Sequence, residues 1–299
     1  LNPYIQLGGW QTTQWPPFHI AKNRALTWIL PADAKALAEL CDRFFAVPSR
    51  GAVRYRPLGA LCGVTLSMIT EATTSDPRAG STRETDLMVW VPVVRDGQQG
   101  PEPAVFCPWL FVDHAPAVWT GRELFGLPKE WAAFSTLPTG SELSEEVEVS
   151  AFELDREGGT LAPRPLLRVI PGAPLGVAQV AAGAAHAALR TLYAGLDLRS
   201  LVSKHQQARF ASLKQLPSAT RPGAAAYSAV VEMRARVDEV RTLRHVAQEV
   251  TVDLTGGPLH PVAATLGWDS PRQTALGSFF ADYSFTLLGA DVLWSVGGI

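Results

Sequence analysis

The chain has 299 residues, 47% of them hydrophobic and 18% charged, with a formal net charge of -2. That length buries a substantial core, and with no basic field to hold a polyanion a nucleic-acid partner is not expected. The opening LNPYIQLGGW lacks the basic start and apolar core of a signal peptide and no apolar run approaches the roughly 18 residues that span a bilayer, so a soluble cytoplasmic protein without membrane contact is expected.

Residues 1 to 18 hold Trp10, Trp15, Pro16 and Pro17, a composition for an extended arm packing aromatics onto the body or a neighbouring subunit of a homo-oligomer. Ala25 to Leu30 reads as a strand. Asp33 is placed as N-cap for a helix over Ala34 to Phe45, where Leu37, Leu40, Cys41, Phe44 and Phe45 recur at helical spacing. Val53 to Glu71 and Asp86 to Val94 are strand-like and flank the turn-rich TSDPRAGSTRE, which predicts a long β-hairpin. A turn over Arg95 to Glu102 leads into Val105 to Val112, rich in aromatic and branched residues and read as a buried strand, followed by a turn at His114 to Pro116.

Farther on, Glu142 to Glu153 alternates as a half-exposed strand and Asp155 to Gly159 reads as a turn. The strand pattern is interrupted at about 171–206, where the alanine- and leucine-rich Val177 to Ala194, closed by Gly195, predicts a helical insertion over the pocket or at a subunit contact. Strand-like runs return at Phe210 to Leu216, Ser228 to Val240 and Val246 to Leu254. A last helix is predicted with Ser270 as N-cap, Pro271 at its first position, and Phe279, Phe280, Tyr283 and Leu287 on one face. Many antiparallel strands with few helices argue for one domain over 1–299, mainly β with flanking helices and built as a closed antiparallel β-barrel, rather than for a βαβ fold.

Cofactor signals are missing. No G-x-G-x-x-G follows a strand, the six histidines have no H-x-x-x-H or H-E-x-x-H spacing, and no G-x-S-x-G elbow occurs, so neither a nucleotide, a metal nor a serine hydrolase is indicated. Cys41, Cys62 and Cys107 sit in apolar settings without C-x-x-C spacing and read as buried free thiols.

The densest chemistry lies between Phe106 and Phe134, where Gly121, Arg122, Glu123, Gly126, Pro128, Lys129 and Glu130 crowd among apolar neighbours. The chain uses 21 Arg but only five Lys. Lysine, unlike arginine, gives up its proton when desolvated and then attacks carbonyls. Lys129 therefore reads either as an imine-forming nucleophile or as a lysine snorkelling to water. Arg24 reads as a clamp for a substrate carboxylate or as a surface arginine, and Glu84 as a proton-handling carboxylate or a solvated loop charge.

The run from Asp113 to Lys129, D-x-x-P-A-V-x-x-G-R-E-L-x-x-x-P-K, resembles the active-site segment of the acetoacetate decarboxylase family. That family is also a standing example of a lysine activated by its surroundings. Lys22-Asn23-Arg24 resembles the motif of its carboxylate-binding arginine, Arg83-Glu84-Thr85 that of its catalytic glutamate, and Ser278 to Ser295 its C-terminal helix. The resemblance implies the family's barrel and a Schiff-base lyase without cofactor, acting on a small keto acid by decarboxylation or by aldol condensation and dehydration. It assigns Lys129 and Glu84 to catalysis and Arg24, Arg122 and Trp119 to substrate binding. Where the family's decarboxylases place a second lysine this chain has Glu130, whose carboxylate would favour the ammonium form of Lys129 and could shuttle protons in a dehydration. The alternative is a non-catalytic barrel that holds an apolar ligand in a Trp-rich pocket, nine Trp being available.

Overall fold

The computed structural model describes residues 14–76, 79–97, 100–154, 159–175, 207–256 and 259–297. The predicted turn at 155–158, the alanine-rich helix at 177–194 and most of the N-terminal arm lie outside them. Pro171 to Pro174, placed by sequence in the insertion, are the end of a strand.

Thirteen strands form one sheet among the described residues. β1 (Phe18–Pro31) leads into α1 (Ala34–Cys41), which Asp33 caps by accepting a hydrogen bond from the Ala36 amide, as the sequence predicts. A π-helical turn (Asp42–Ala46) and β2 (Arg56–Pro57) follow. β3 (Leu61–Thr74), β4 (Ser81–Gly97) and β5 (Gly100–Val112) make a meander of antiparallel neighbours, longer than the predicted hairpin because β4 and β5 absorb most of Arg95 to Glu102. α2 (Ala115–Thr120) opens where the sequence suggests only a turn, and β6 (Lys129–Phe134), β7 (Val147–Leu154) and β8 (Leu161–Pro174) come next. β9 (Gln207–Pro217), β10 (Ala225–Val246), β11 (Gln248–Asp253), the short α3 (Val262–Thr265), β12 (Arg272–Thr274) and β13 (Gly277–Gly297) complete the chain.

β5 is the branch point. One edge pairs with β4; the other is shared, Val105 and Phe106 pairing with β9 and Leu110 to Val112 with β6. The first of these pairings continues through β10, β13, β1 and β3 back to β4, a circuit of seven strands. The second leads outward through β6, β7, β8, β11 and β12. Both β5–β6 and β5–β9 are parallel, which departs from the purely antiparallel expectation. A parallel pair needs a crossover, and α2 with its following turn supplies one between β5 and β6.

The other departure is at the C-terminus, where the predicted helix is β13, paired with β1 on one edge and β10 on the other. Phe279, Phe280, Tyr283 and Leu287 fit helical spacing, but Tyr283, Phe285 and Leu287 also fit the two-residue period of a strand. The ladder to β10 runs from Ser278 to Gly297 and the ladder to β1 from Gly277 to Leu287, and pairing of that extent outweighs local preference.

Two apolar regions result. The larger core gathers Leu26 and Trp28 of β1, Leu37 and Leu40 of α1, Leu66 of β3, Val91 of β4, Phe106 of β5 and Leu167 of β8. The smaller, built around Phe18, Ile20, Ile69, Leu110, Phe125 and Met233, surrounds a cavity inside the strand circuit. The three cysteines are free and buried. No helix among the described residues is long and apolar enough to cross a membrane.

Candidate active site

The segment that dominates the sequence is a β5–α2–β6 connection, and its fixed residues each do something local. Asp113 accepts the Thr85 amide at 2.7 Å while its own amide donates to the Thr85 carbonyl, which pins β4 between Glu84 and Asp86. His114 precedes α2, and a π-helical turn (Gly121–Phe125) ends at Gly126 in the left-handed region, φ 66°. A side chain at Gly126 would be strained and would also meet the Lys214 backbone at 2.6 Å. At Gly121 a β-carbon would lie 2.6 Å from Cδ of Lys129, so the missing side chain there is the space the lysine occupies. Arg122 donates to the Lys129 carbonyl at 3.2 Å, fixing the start of β6.

Lys129 is buried, and its Nζ lies 3.2 Å from Oε1 of Glu84 and 3.9 Å from Oδ1 of Asp86. Glu84 and Asp86 are two apart on β4 and therefore share a face. Burial pulls the ammonium towards releasing its proton, but Asp86 and then Glu84 outweigh it and hold Lys129 above the ordinary lysine value. Asp86 is pushed well above the usual carboxylate range by burial and then by Glu84, with Lys129 opposing.

A polar row continues from it. Ser67, the cross-strand neighbour of Asp86, donates to Asn23 Oδ1 at 2.7 Å, and Asn23 pairs in register with Tyr283. Burial raises the Tyr283 phenol to about 12. Asn23 Nδ2 and Asp86 Oδ1 are buried with no hydrogen-bond partner among the described residues. An unpartnered buried polar atom costs about 1–3 kcal/mol, which a bound oxygen or amide would relieve.

The cavity beside this row has a volume of about 190 Å³. Ser67, Glu84, Asp86, Cys107, Lys129 and Tyr283 bring polar atoms to it, joined by Gln14, Thr82, His114 and Thr120; Phe18, Ile20, Phe210, Met233, Phe285 and Leu287 are among the apolar side chains that make most of its wall. Burial pushes the Cys107 thiol up, so it stays protonated. Among the described residues no group of three His, Cys, Asp or Glu side chains is arranged to hold a metal ion.

The family model described as acetoacetate decarboxylase (ADC) matches residues 3–296. The chain belongs to the acetoacetate decarboxylase family. No curated protein matches it in sequence. Its fold is similar to that of an acetoacetate decarboxylase from Legionella pneumophila, with TM-score 0.62 and 15% identity over 95% of this chain and 90% of that one. It is similar also to the enduracididine biosynthesis enzyme MppR, solved with the condensation product of pyruvate and imidazole 4-carboxaldehyde, with TM-score 0.54 and 13% identity over 96% and 92% of the two chains. An acetoacetate decarboxylase-like enzyme from Sphingomonas wittichii RW1 gives TM-score 0.54 and 14% identity over 94% of each chain.

Within this family member, the residues that its motifs single out separate into two groups. Lys129 and Glu84 meet in the cavity. Glu130 does not: it leaves the opposite face of β6 and meets His260 Nε2 at 2.7 Å, while His260 Nδ1 contacts Glu153 at 3.0 Å. Arg24 also faces away, donating to the Thr139 carbonyl at 2.6 Å, and the neighbour that joins the polar row is Asn23. Arg122 acts on the Lys129 backbone, and Trp119 is 44% exposed and outside the lining. No tryptophan is among the described lining residues, which departs from the Trp-rich pocket of the alternative reading. Sequence reasoning passed over Asp86, Asn23, Ser67 and Tyr283 as site residues. Only Asp86 carried a signal, an acid two residues from Glu84 in a strand.

Proposed function

We propose that this family member is an imine-forming lyase in which Lys129 attacks the carbonyl of a keto acid. The observation that carries the reading is a buried amine in an apolar cavity with a carboxylate at 3.2 Å to receive its proton. Glu84 takes a proton from the Lys129 ammonium as the neutral amine adds to the carbonyl carbon. Glu84 then returns that proton to the departing hydroxyl, so that water leaves and the iminium forms, with Asp86 beside both groups. The pairing circuit, with its filled outer core and inner cavity, is read as the family's barrel, and the 1–299 chain as one domain.

From the iminium, a β-carboxylate is lost when the electrons of its carbon–carbon bond pass into the imine nitrogen, giving an enamine and carbon dioxide. Glu84 and Asp86 favour this outcome, because a carboxylate beside two acids in an apolar cavity is destabilised relative to neutral carbon dioxide. Condensation of the enamine with an aldehyde uses the same intermediate, and the MppR complex is an instance of a condensation product held in a similar fold.

Borohydride reduction with acetoacetate, and separately with pyruvate, is expected to add reduced-substrate mass at Lys129. The addition should vanish in Lys129→Ala. Mass located at another lysine, or unchanged in the variant, would remove the reading.

A further inference from the structure

Around the strand circuit, β10 and β13 stand three ladders from β4 in either direction, so they face Glu84 and Asp86 across the cavity. What they present there is almost wholly apolar. Met233, Ala235 and Val237 of β10 and Phe285 and Leu287 of β13 recur at the two-residue period of an inward strand face, and Ala208 and Phe210 of β9 extend them. Tyr283 is the polar exception, at the end next to Asn23. Lys129 is the one lysine or arginine among the described lining residues, and both Glu84 and Asp86 lie against it. The cavity thus has a small polar pole that handles protons and a long apolar wall opposite.

A three- or four-carbon keto acid has nothing to offer that wall. Its carboxylate and carbonyl would both crowd the polar pole, leaving most of about 190 Å³ in contact with no ligand atom. For scale, a dry cavity of roughly 150 Å³ already accepts benzene. An apolar surface of this kind gains affinity from each methylene or ring carbon laid on it.

We infer that the compound taken up at Lys129 is an amphipathic carbonyl compound, with its carbonyl at the lysine and an apolar chain or ring of about five carbons or more along the β9–β10–β13 wall. This rests on the imine-forming reading for the carbonyl end, while the apolar end stands on the lining alone. The carboxylate of a keto acid is not what selects the substrate. Uncharged ketones of matching length are taken up as well.

The test is Lys129 labelling by borohydride with 3-oxobutanoate, 3-oxooctanoate and the uncharged 2-octanone at equal concentration, together with calorimetric titration of 2-octanone into the native protein and Lys129→Ala. The expected result is labelling by both eight-carbon compounds at least about tenfold faster than by 3-oxobutanoate. Ala235→Phe, which fills the wall, should lower that ratio. Labelling by 3-oxobutanoate as fast as by the longer compounds would overturn the inference and leave imine formation standing. No labelling by any compound, with saturable binding of 2-octanone to both proteins, would overturn imine formation and uphold the apolar wall. Neither labelling nor saturable binding would overturn both.

Discussion

At the scale of single residues, the proposed chemistry turns on how Lys129 loses a proton while two acids hold it charged. Burial works for the neutral amine and the acids against it, with Asp86 the stronger of the two. Replacing Asp86 by Asn keeps the shape, removes that charge and leaves burial less opposed. Lys129 should then lose its proton at lower pH, so the onset of borohydride trapping should move to lower pH than in the native protein. An onset that stays in place would mean that Asp86 does not govern the amine. Glycine matters on the same scale. Gly121 leaves the space in which the lysine side chain lies, and a misplacement of about 1 Å in a reacting group can cost roughly a hundredfold in rate.

At the scale of elements, β6 is held from both faces. One face carries Lys129 into the cavity, and the other carries Glu130 to His260, which also reaches Glu153 on β7 and packs edge-on against Phe111 of β5. Hydrogen bonding to Glu130 raises the His260 pKa, burial opposes it, and Glu153 adds to it. The folded value therefore lies above the unfolded one, about 6.5. The stabilisation is full below the unfolded value and is lost as pH rises through the folded one. His260→Gln should cost about 1–3 kcal/mol in urea unfolding at about pH 5.5 and clearly less at about pH 9. Equal losses at the two pH values would show that the charged pair is not what holds β6.

At the scale of the whole molecule, the strand circuit has a narrow seam. β5 and β9 meet through only two paired positions, Val105 with Phe210 and Phe106 with Ala211. Charges brace it from neighbouring strands. Arg209 of β9 contacts Glu102 of β5 and Glu232 of β10 at 2.9 and 3.0 Å, Arg95 of β4 contacts the same two acids, and the Tyr55 hydroxyl donates to Glu232 at 2.8 Å. Glu232 is buried, so removing it leaves the Tyr55 hydroxyl without its acceptor and Arg95 and Arg209 with Glu102 alone. Glu232→Ala should destabilise the protein by about 1–3 kcal/mol. The loss should be visible in urea unfolding and as faster amide exchange at Val105 and Phe106; a variant unchanged in both would show that the network does not brace the seam.

Much of the design is local and was legible in the order of residues. The cap at Asp33, the alternation of the strands and the run from Asp113 to Lys129 depend on neighbours a few positions apart, where spacing alone fixes the geometry. The sequence also shows that Lys129 and Glu130, being adjacent in an extended segment, must point in opposite directions. It cannot show which of them points inward. That is set by the pairing of Leu110 with Lys129 and Phe111 with Glu130, and by the position of His260 130 residues away. The same holds for Arg24 and Asn23, where the register of β1 between β3 and β13 sends the amide to the polar row and the guanidinium to Thr139. The C-terminal stretch, read from its spacing as a helix, is a strand because β1 and β10 offer it two ladders. Asp86 joined the site only because β4 carries it to the face of Glu84 and β6 brings a lysine to meet them. Pairing between distant strands decides which face of each strand becomes the inside, and that decision made the polar pole around Lys129 and the apolar wall opposite it.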